Sequence, residues 1–196
     1  MSDRTRRITR VGSVAGYVVA LAGVITLVST VLGLGADSAW QTINDLGLLV
    51  LVAALAPLML SFYELGGLTP TILAQVAQTI GWASVLTFCT IQVLQMAGVV
   101  QVDWRAPATG VFALGSGALG YIGLWINGAN LLAGSWLGPQ RWLGFVAGLA
   151  LALFAVGLLV GGVDTGWATL GGIGFLVLLP AWAFLMALLL RRLSAG

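Results

Sequence analysis

The chain has 196 residues, of which 60% are hydrophobic and 7% are charged, and its mean hydropathy is +1.07. Soluble domains carry about 25% charged residues, so this composition excludes a water-soluble fold. The formal charge of +2 does not indicate a nucleic-acid partner, because the arginines flank hydrophobic runs instead of forming a soluble basic face. The composition therefore predicts a membrane protein that does not bind nucleic acid.

Hydrophobic runs of about 20 residues repeat along nearly the whole chain, and each matches the roughly 30 Å hydrocarbon core at a rise of about 1.5 Å per residue. They predict an all-α, polytopic fold in which six transmembrane helices form one bundle. The remaining residues are expected to form a basic tail over 1–10 and a short tail over 193–196. The helices are predicted at about 11–34, 46–64, 71–98, 109–134, 141–162 and 167–190.

A basic start before an apolar run is also typical of a signal peptide. The first run is longer than the usual apolar region of about 7–15 residues, which favours a retained helix. The other helix starts are predicted from capping residues: Asp45 for helix 2, Thr109 for helix 4, Pro139 for helix 5, and Asp164 or Thr165 for helix 6.

Arginine placement predicts the orientation, because positively charged residues favour the cytoplasmic side. A cytoplasmic N-terminus leaves only Arg105 outside, so both termini are expected to be cytoplasmic. The absence of lysine suggests a GC-rich bacterial genome, and we expect a multi-pass protein of the bacterial cytoplasmic membrane. At the rims, Glu64 is expected to pair with Arg141, Arg191 or Arg192, and Arg105 with Asp45 or Asp164.

Helix 4 carries one stripe of small and amide residues at alternating steps of three and four. Such a stripe is what a membrane helix presents to other helices, since small residues allow close backbone approach and amides hydrogen-bond across. Helix 4 is therefore predicted to lie at the centre of the bundle. The stripe consists of Ala113, Ser116, Gly120, Gly123, Asn127, Asn130 and Gly134.

Helix 3 carries four glutamines, and an antiparallel hairpin of helices 3 and 4 places several of them opposite the helix 4 stripe. Gln92 is expected at the depth of Ser116, Gln78 at the depth of Asn130, and Gly81 at that of Asn127. One interpretation is that these amides only hold the two helices together. The other is that they line a site for a small neutral or amphipathic ligand, formed by Gln78, Gln92, Gln95, Ser116, Asn127 and Asn130.

The residues that enzymes use are missing from the predicted spans, where a buried charge usually marks function. The chain has no histidine and one cysteine, and no charged residue lies deep in a predicted span. Leu114-Gly115-Ser116-Gly117 is similar to the Gly-x-Ser-Gly of rhomboid proteases, but no histidine exists to activate Ser116. The sequence therefore predicts no enzyme, no catalytic residue, no cofactor and no metal site.

A faint internal repeat is visible. Gly-Ser-Val-Ala-Gly (12–16) in helix 1 is matched by Gly-Phe-Val-Ala-Gly (144–148) in helix 5, while Pro57 and Pro180 lie near mid-span in helices 2 and 6. A duplicated hairpin explains both, as does chance in Gly- and Ala-rich helices. Broken helices at matching places also occur at transporter binding sites, although kinks filled by neighbouring helices are more common.

The second half loosely resembles uncharacterised six-span bacterial membrane families known only as domains of unknown function. The resemblance depends on Leu-Gly-Pro-Gln-Arg-Trp-Leu-Gly (137–144), a Gly/Leu-rich fifth helix and Leu-Leu-Leu-Arg-Arg (188–192). It implies no activity or site residue. We therefore expect a non-enzymatic accessory or interaction subunit in contact with membrane lipids and with a membrane-protein partner or a second copy. The alternative is a small transporter or a lipid- or hydrophobic-solute-binding protein that uses the polar seam between helices 3 and 4.

Overall fold

The protein is a six-helix bundle, seen here in a computed structural model that describes residues 2–33, 38–65, 72–132 and 137–195. These ranges contain α-helices and no strand, and all six helices are long and apolar enough to cross a membrane. The all-α, polytopic fold predicted from the sequence is confirmed. The helices are α1 (Asp3–Gly33), α2 (Ser38–Leu65), α3 (Ile72–Met96), α4 (Gly110–Leu132), α5 (Gln140–Gly161) and α6 (Gly166–Ala195).

Helix α1 begins at Asp3, eight residues before the predicted start at 11, so the basic segment is helical from Asp3 onward. The Ser2 hydroxyl accepts a hydrogen bond from the Thr5 backbone N–H at 3.2 Å, which caps the first turn. Helix α6 likewise continues to Ala195, through the predicted tail at 193–196. Apolar runs mark only the part of a helix that lies in hydrocarbon, whereas polar end turns extend beyond it. The predicted limits at 34, 71 and 134 lie outside the described residues.

Helix α2 also begins earlier than predicted, and this moves Asp45 from a cap into the helix. Its 28 residues make a helix about 42 Å long, which exceeds the roughly 30 Å hydrocarbon core. The Asn44 side-chain oxygen accepts hydrogen bonds from Thr30 at 2.8 Å and from Ser29 at 3.3 Å. These bonds join the first turns of α2 to the last turns of α1. They satisfy polar groups at the start of α2, which is helical although it is more polar than the rest of the helix.

The starts of α5 and α6 agree with the sequence. Pro139 is the N-cap residue of α5, and the Thr165 hydroxyl accepts a hydrogen bond from the Ala168 N–H at 3.2 Å at the start of α6. At the rims, Arg105 and Asp164 approach to 3.9 Å as expected. Glu64 instead pairs with Arg4 at 2.9 Å, because the early start of α1 brings Arg4 beside the end of α2.

The helices form a closed ring in which each packs on its neighbours in the chain and α6 packs on α1. The largest fully buried side chains come mainly from α2 and α6, with two each from α4 and α5, and include Leu55, Ile122 and Trp182. The Phe62 ring lies between two tryptophans, with centroid distances of 6.2 Å to Trp125 and 5.6 Å to Trp182. Chain neighbours are antiparallel, so both chain termini lie at one end of the ring, here called the terminal end.

The second glycines of the two Gly-x-x-x-Gly segments are used in the same way. Gly16 of α1 packs on α6, where an added Cβ would lie 2.9 Å from the Ala183 oxygen, and Gly148 of α5 packs on α4 at 2.6 Å from the Gly123 oxygen. The second glycine of each segment thus faces the helix that precedes it around the ring, whereas Gly12 lies against Ser61 of α2 and Gly144 against Asn130 of α4. The equivalence of the second glycines supports the predicted duplication, which stays a prediction.

Candidate functional site

From Gly120 to Asn130 the small-residue stripe of α4 lies against α5, whereas Ser116 faces α3 as predicted. A Cβ added to Gly123 would lie 2.6 Å from the Gly148 oxygen and 2.8 Å from the Ala152 nitrogen. A Cβ added to Gly120 would lie 3.3 Å from the Ala155 side chain. The backbones of α4 and α5 are therefore in contact, which is the geometry that small residues permit in membrane helices. Gly134, the last member of the stripe, lies outside the described residues.

Asn130 is a structural residue of this interface. Its side-chain nitrogen donates to the Ile126 carbonyl at 2.8 Å, and its oxygen accepts from the Trp182 indole N–H at 3.1 Å. Both polar atoms of the buried amide are thereby used, and α4 is joined to α6. The predicted pairing of Asn130 with Gln78 is wrong, since neither amide atom of Gln78 has a hydrogen-bond partner in the part of the chain that the structure describes.

Asn127 also belongs to the α4–α5 contact. Its side-chain oxygen lies where a Cβ on Gly148 would be placed, at 2.5 Å, and is buried without a hydrogen-bond partner among the described residues. Gly81, its predicted neighbour, instead contacts Met59 of α2 and Trp125 of α4. Asn127 and Asn130 thus face neighbours other than the predicted ones, because residue spacing alone does not fix how a helix is rotated about its axis.

Three of the predicted site residues do come together. Gln92 and Gln95 of α3 and Ser116 of α4 line a cavity of about 10 Å³ near the end of the ring opposite the terminal end. Gln92 and Ser116 are each only 1% exposed. The lining residues are Phe88, Ile91, Gln92, Gln95, Val102, Trp104, Phe112, Gly115, Ser116, Leu119 and Leu158.

The loop between α3 and α4 covers this cavity. The Trp104 ring meets Phe112 edge-on with centroids 4.7 Å apart, and the Trp104 carbonyl accepts a hydrogen bond from the Val163 N–H at 2.6 Å. Gly162, at φ 78°, lets the chain turn against this loop, since a Cβ there would lie 2.6 Å from the Arg105 carbonyl carbon. The loop is thus fixed to the α5–α6 turn above the cavity.

Asp45, predicted as the cap of helix 2, instead lies inside α2 and close to Gln92. It lies in the second turn of α2, partly buried, and the Gln92 side chain faces its carboxyl group, although Gln92 Nε2 has no partner within hydrogen-bond distance among the described residues. Asp45 lies near the start of a helix that is longer than the hydrocarbon core, so it is not deep in a span. The missed signal was the segment Ser38–Asn44, which contains no Gly or Pro to end a helix.

The two prolines are accommodated by packing. Gly23 of α1 lies directly against the Pro180 ring, and the Ser61 hydroxyl, hydrogen-bonded to the Pro57 carbonyl at 3.1 Å, also contacts the Ile8 carbonyl at 3.0 Å. Helix α1 thus lies against the Pro180 ring and against the turn that follows Pro57.

No protein-family model, curated protein sequence or solved structure matched the chain. The resemblance of the second half to six-span bacterial families accordingly stays a prediction, and the function is argued from the geometry.

Proposed function

We propose that this membrane protein acts without catalysis, as an accessory or interaction subunit that binds another membrane protein through the outward face of α3. The observation that carries the proposal is how little of α3 is covered by the rest of the protein. Only 22% of the residues in its most apolar stretch are buried inside the protein, against 44–50% for the other five helices. A helix so weakly covered by its own chain has the most surface to offer a partner.

The chemistry of that outward face supports the proposal. Thr79 and Ala83 are exposed and lie one turn apart, Thr87 follows at the same spacing with partial exposure, and Thr90 is exposed beyond it. Small residues four apart let a second helix approach closely, and hydroxyl groups hydrogen-bond across such contacts. Lipid alone requires neither feature, since lipid tails pack on any apolar side chain. We name this set of four residues the α3 outer stripe.

The alternative, transport or binding of a neutral solute at the α3–α4 seam, has less support. Sites for drug-sized ligands enclose about 300–1,000 Å³, whereas the cavity beside Gln92 and Ser116 measures about 10 Å³. Asn127 and Asn130, which were predicted to extend that seam, face α5 and α6 instead. The amides therefore support helix packing more than a solute site.

We also propose that the terminal end is cytoplasmic and contacts anionic lipid head groups. Exposed arginines at this end occur on α1, α5 and α6, which are consecutive in the ring. Positive charge near a membrane surface favours the cytoplasmic leaflet and its anionic lipids. These side chains are Arg4, which also pairs with Glu64, and Arg6, Arg7, Arg10, Arg141, Arg191 and Arg192.

Site-specific photo-crosslinking tests the interaction proposal. A diazirine amino acid is introduced at Ala83 on the α3 outer stripe or, as a matched control, at Ala181, an exposed alanine of α6, and native membranes are irradiated. We expect a protein adduct of defined mass from position 83 and only lipid adducts from position 181. Lipid adducts alone at both positions would refute the proposal.

A further inference from the structure

The cavity between α3 and α4 contains two polar groups that nothing in the described chain satisfies. Gln92 Nε2 and Ser116 Oγ are both buried and have no hydrogen-bond partner in residues 2–33, 38–65, 72–132 and 137–195. Both residues line the cavity. A buried donor or acceptor left without a partner is costly in a low-dielectric interior, so native proteins pair such groups with protein or with ordered water.

The size of the cavity restricts what can occupy it. Its volume of about 10 Å³ is close to the lower limit of about 10–15 Å³ that one water molecule needs. The third polar wall is Gln95, while Phe88, Phe112 and Trp104 contribute apolar surface. A buried water usually makes about three hydrogen bonds, which is the number of polar side chains present.

We propose that this cavity is a binding site for a single water molecule, which accepts a hydrogen bond from Gln92 Nε2 and shares another with Ser116 Oγ. A hydrocarbon or dissolved gas of similar size leaves both groups unsatisfied, and a larger polar solute does not fit. The site therefore selects a small neutral molecule that is both donor and acceptor.

The position of this water gives it a structural role. Gln92 is on α3, Ser116 is on α4, and the Gln92 side chain also faces Asp45 of α2. A water held by Gln92 and Ser116 thus joins the inward face of α3 to α4, with α2 alongside, at the weakly covered helix of the ring. This inference does not depend on the proposed function, which concerns the opposite face of α3.

Nuclear magnetic resonance of the full chain in nanodiscs tests the proposal. Water-selective cross-relaxation is measured at the side-chain amide of Gln92, with the side-chain amide of Asn130 as the matched control. Asn130 is as buried as Gln92, but its side-chain nitrogen already donates to the Ile126 carbonyl at 2.8 Å, so it does not need a water partner. We expect a cross-peak between water and Gln92 with the sign of a water that tumbles with the protein, and none at Asn130.

Ser116→Val supplies the second measurement, because it removes the hydroxyl and fills the cavity with methyl groups. The Gln92 cross-peak is expected to disappear while the Trp182 indole N–H signal, which reports the folded core, persists. Absence of the cross-peak in the unaltered protein, an equal cross-peak at Asn130, or its survival in folded Ser116→Val would each overturn the proposal. If Ser116→Val does not fold, the comparison of Gln92 with Asn130 decides.

Discussion

The contact between α4 and α5 is tested by replacing Gly123 with alanine. The added Cβ would lie 2.6 Å from the Gly148 oxygen and 2.8 Å from the Ala152 nitrogen. Both are backbone atoms, so no side chain can rotate away and the two helices must separate. Overpacking of this kind costs about 1–3 kcal/mol. We expect Gly123→Ala to lower the free energy of unfolding by about 2 kcal/mol, roughly a thirty-fold change in the folding equilibrium.

Gly117 provides the matched control, since it lies in the same helix and an added Cβ meets no atom within 4 Å. Alanine is favoured over glycine inside a helix by about 0.5–1 kcal/mol, so Gly117→Ala is expected to leave stability unchanged or slightly increased. The assay is reversible unfolding in mixed micelles, titrated with a denaturing detergent. Equal effects of the two substitutions would refute the proposed close contact of α4 and α5.

Three further predictions concern hydrogen bonds, ion pairs and orientation. Trp182→Phe breaks the bond to Asn130 and also leaves space in the core, so its total cost is expected to exceed that of the bond. A double-mutant cycle with Asn130→Ala should return a coupling of about 0.6–1.7 kcal/mol for the bond itself, and additive effects would contradict it. Arg4→Gln removes the bridge to Glu64, but the Arg4 side chain is 77% exposed, so the unfolding midpoint should barely change, with less than about 1 kcal/mol lost. Green fluorescent protein fused after the last residue should fluoresce in bacteria, because the terminal end is proposed to be cytoplasmic; a dark fusion in correctly inserted protein would contradict that orientation.

The number and order of the helices were predictable because hydrophobic length is a strong signal. An apolar run of about 20 residues has few alternatives to a membrane helix. Helix ends were less predictable, since the polar turns of α1 and α2 lie outside the apolar runs. The cap at Thr165 is predictable because it directly precedes an apolar run and bonds within one turn. The Ser2 cap lies in a basic segment well before the apolar run, so the sequence pattern does not mark it.

The candidate site was predicted in part. Equal depth correctly brought Gln92 and Ser116 to one cavity, because an antiparallel hairpin fixes height. It failed for Asn127 and Asn130, since height does not determine which neighbour a stripe faces. This part of the stripe faces α5 because Gly123 fits closely against Gly148. This contact depends on the relative rotation of two helices, which the local sequence does not determine.

We propose that the chain works as a subunit, bound to a second protein through the α3 outer stripe. Native mass spectrometry of complexes released from membranes without detergent tests this claim most directly. We predict a species heavier than the 20.2 kDa chain by the mass of a second protein, either another copy or a different chain, and predict its loss in Ala83→Trp but not in Ala181→Trp. A 20.2 kDa monomer that carries only lipids, in the unaltered protein, would contradict the account.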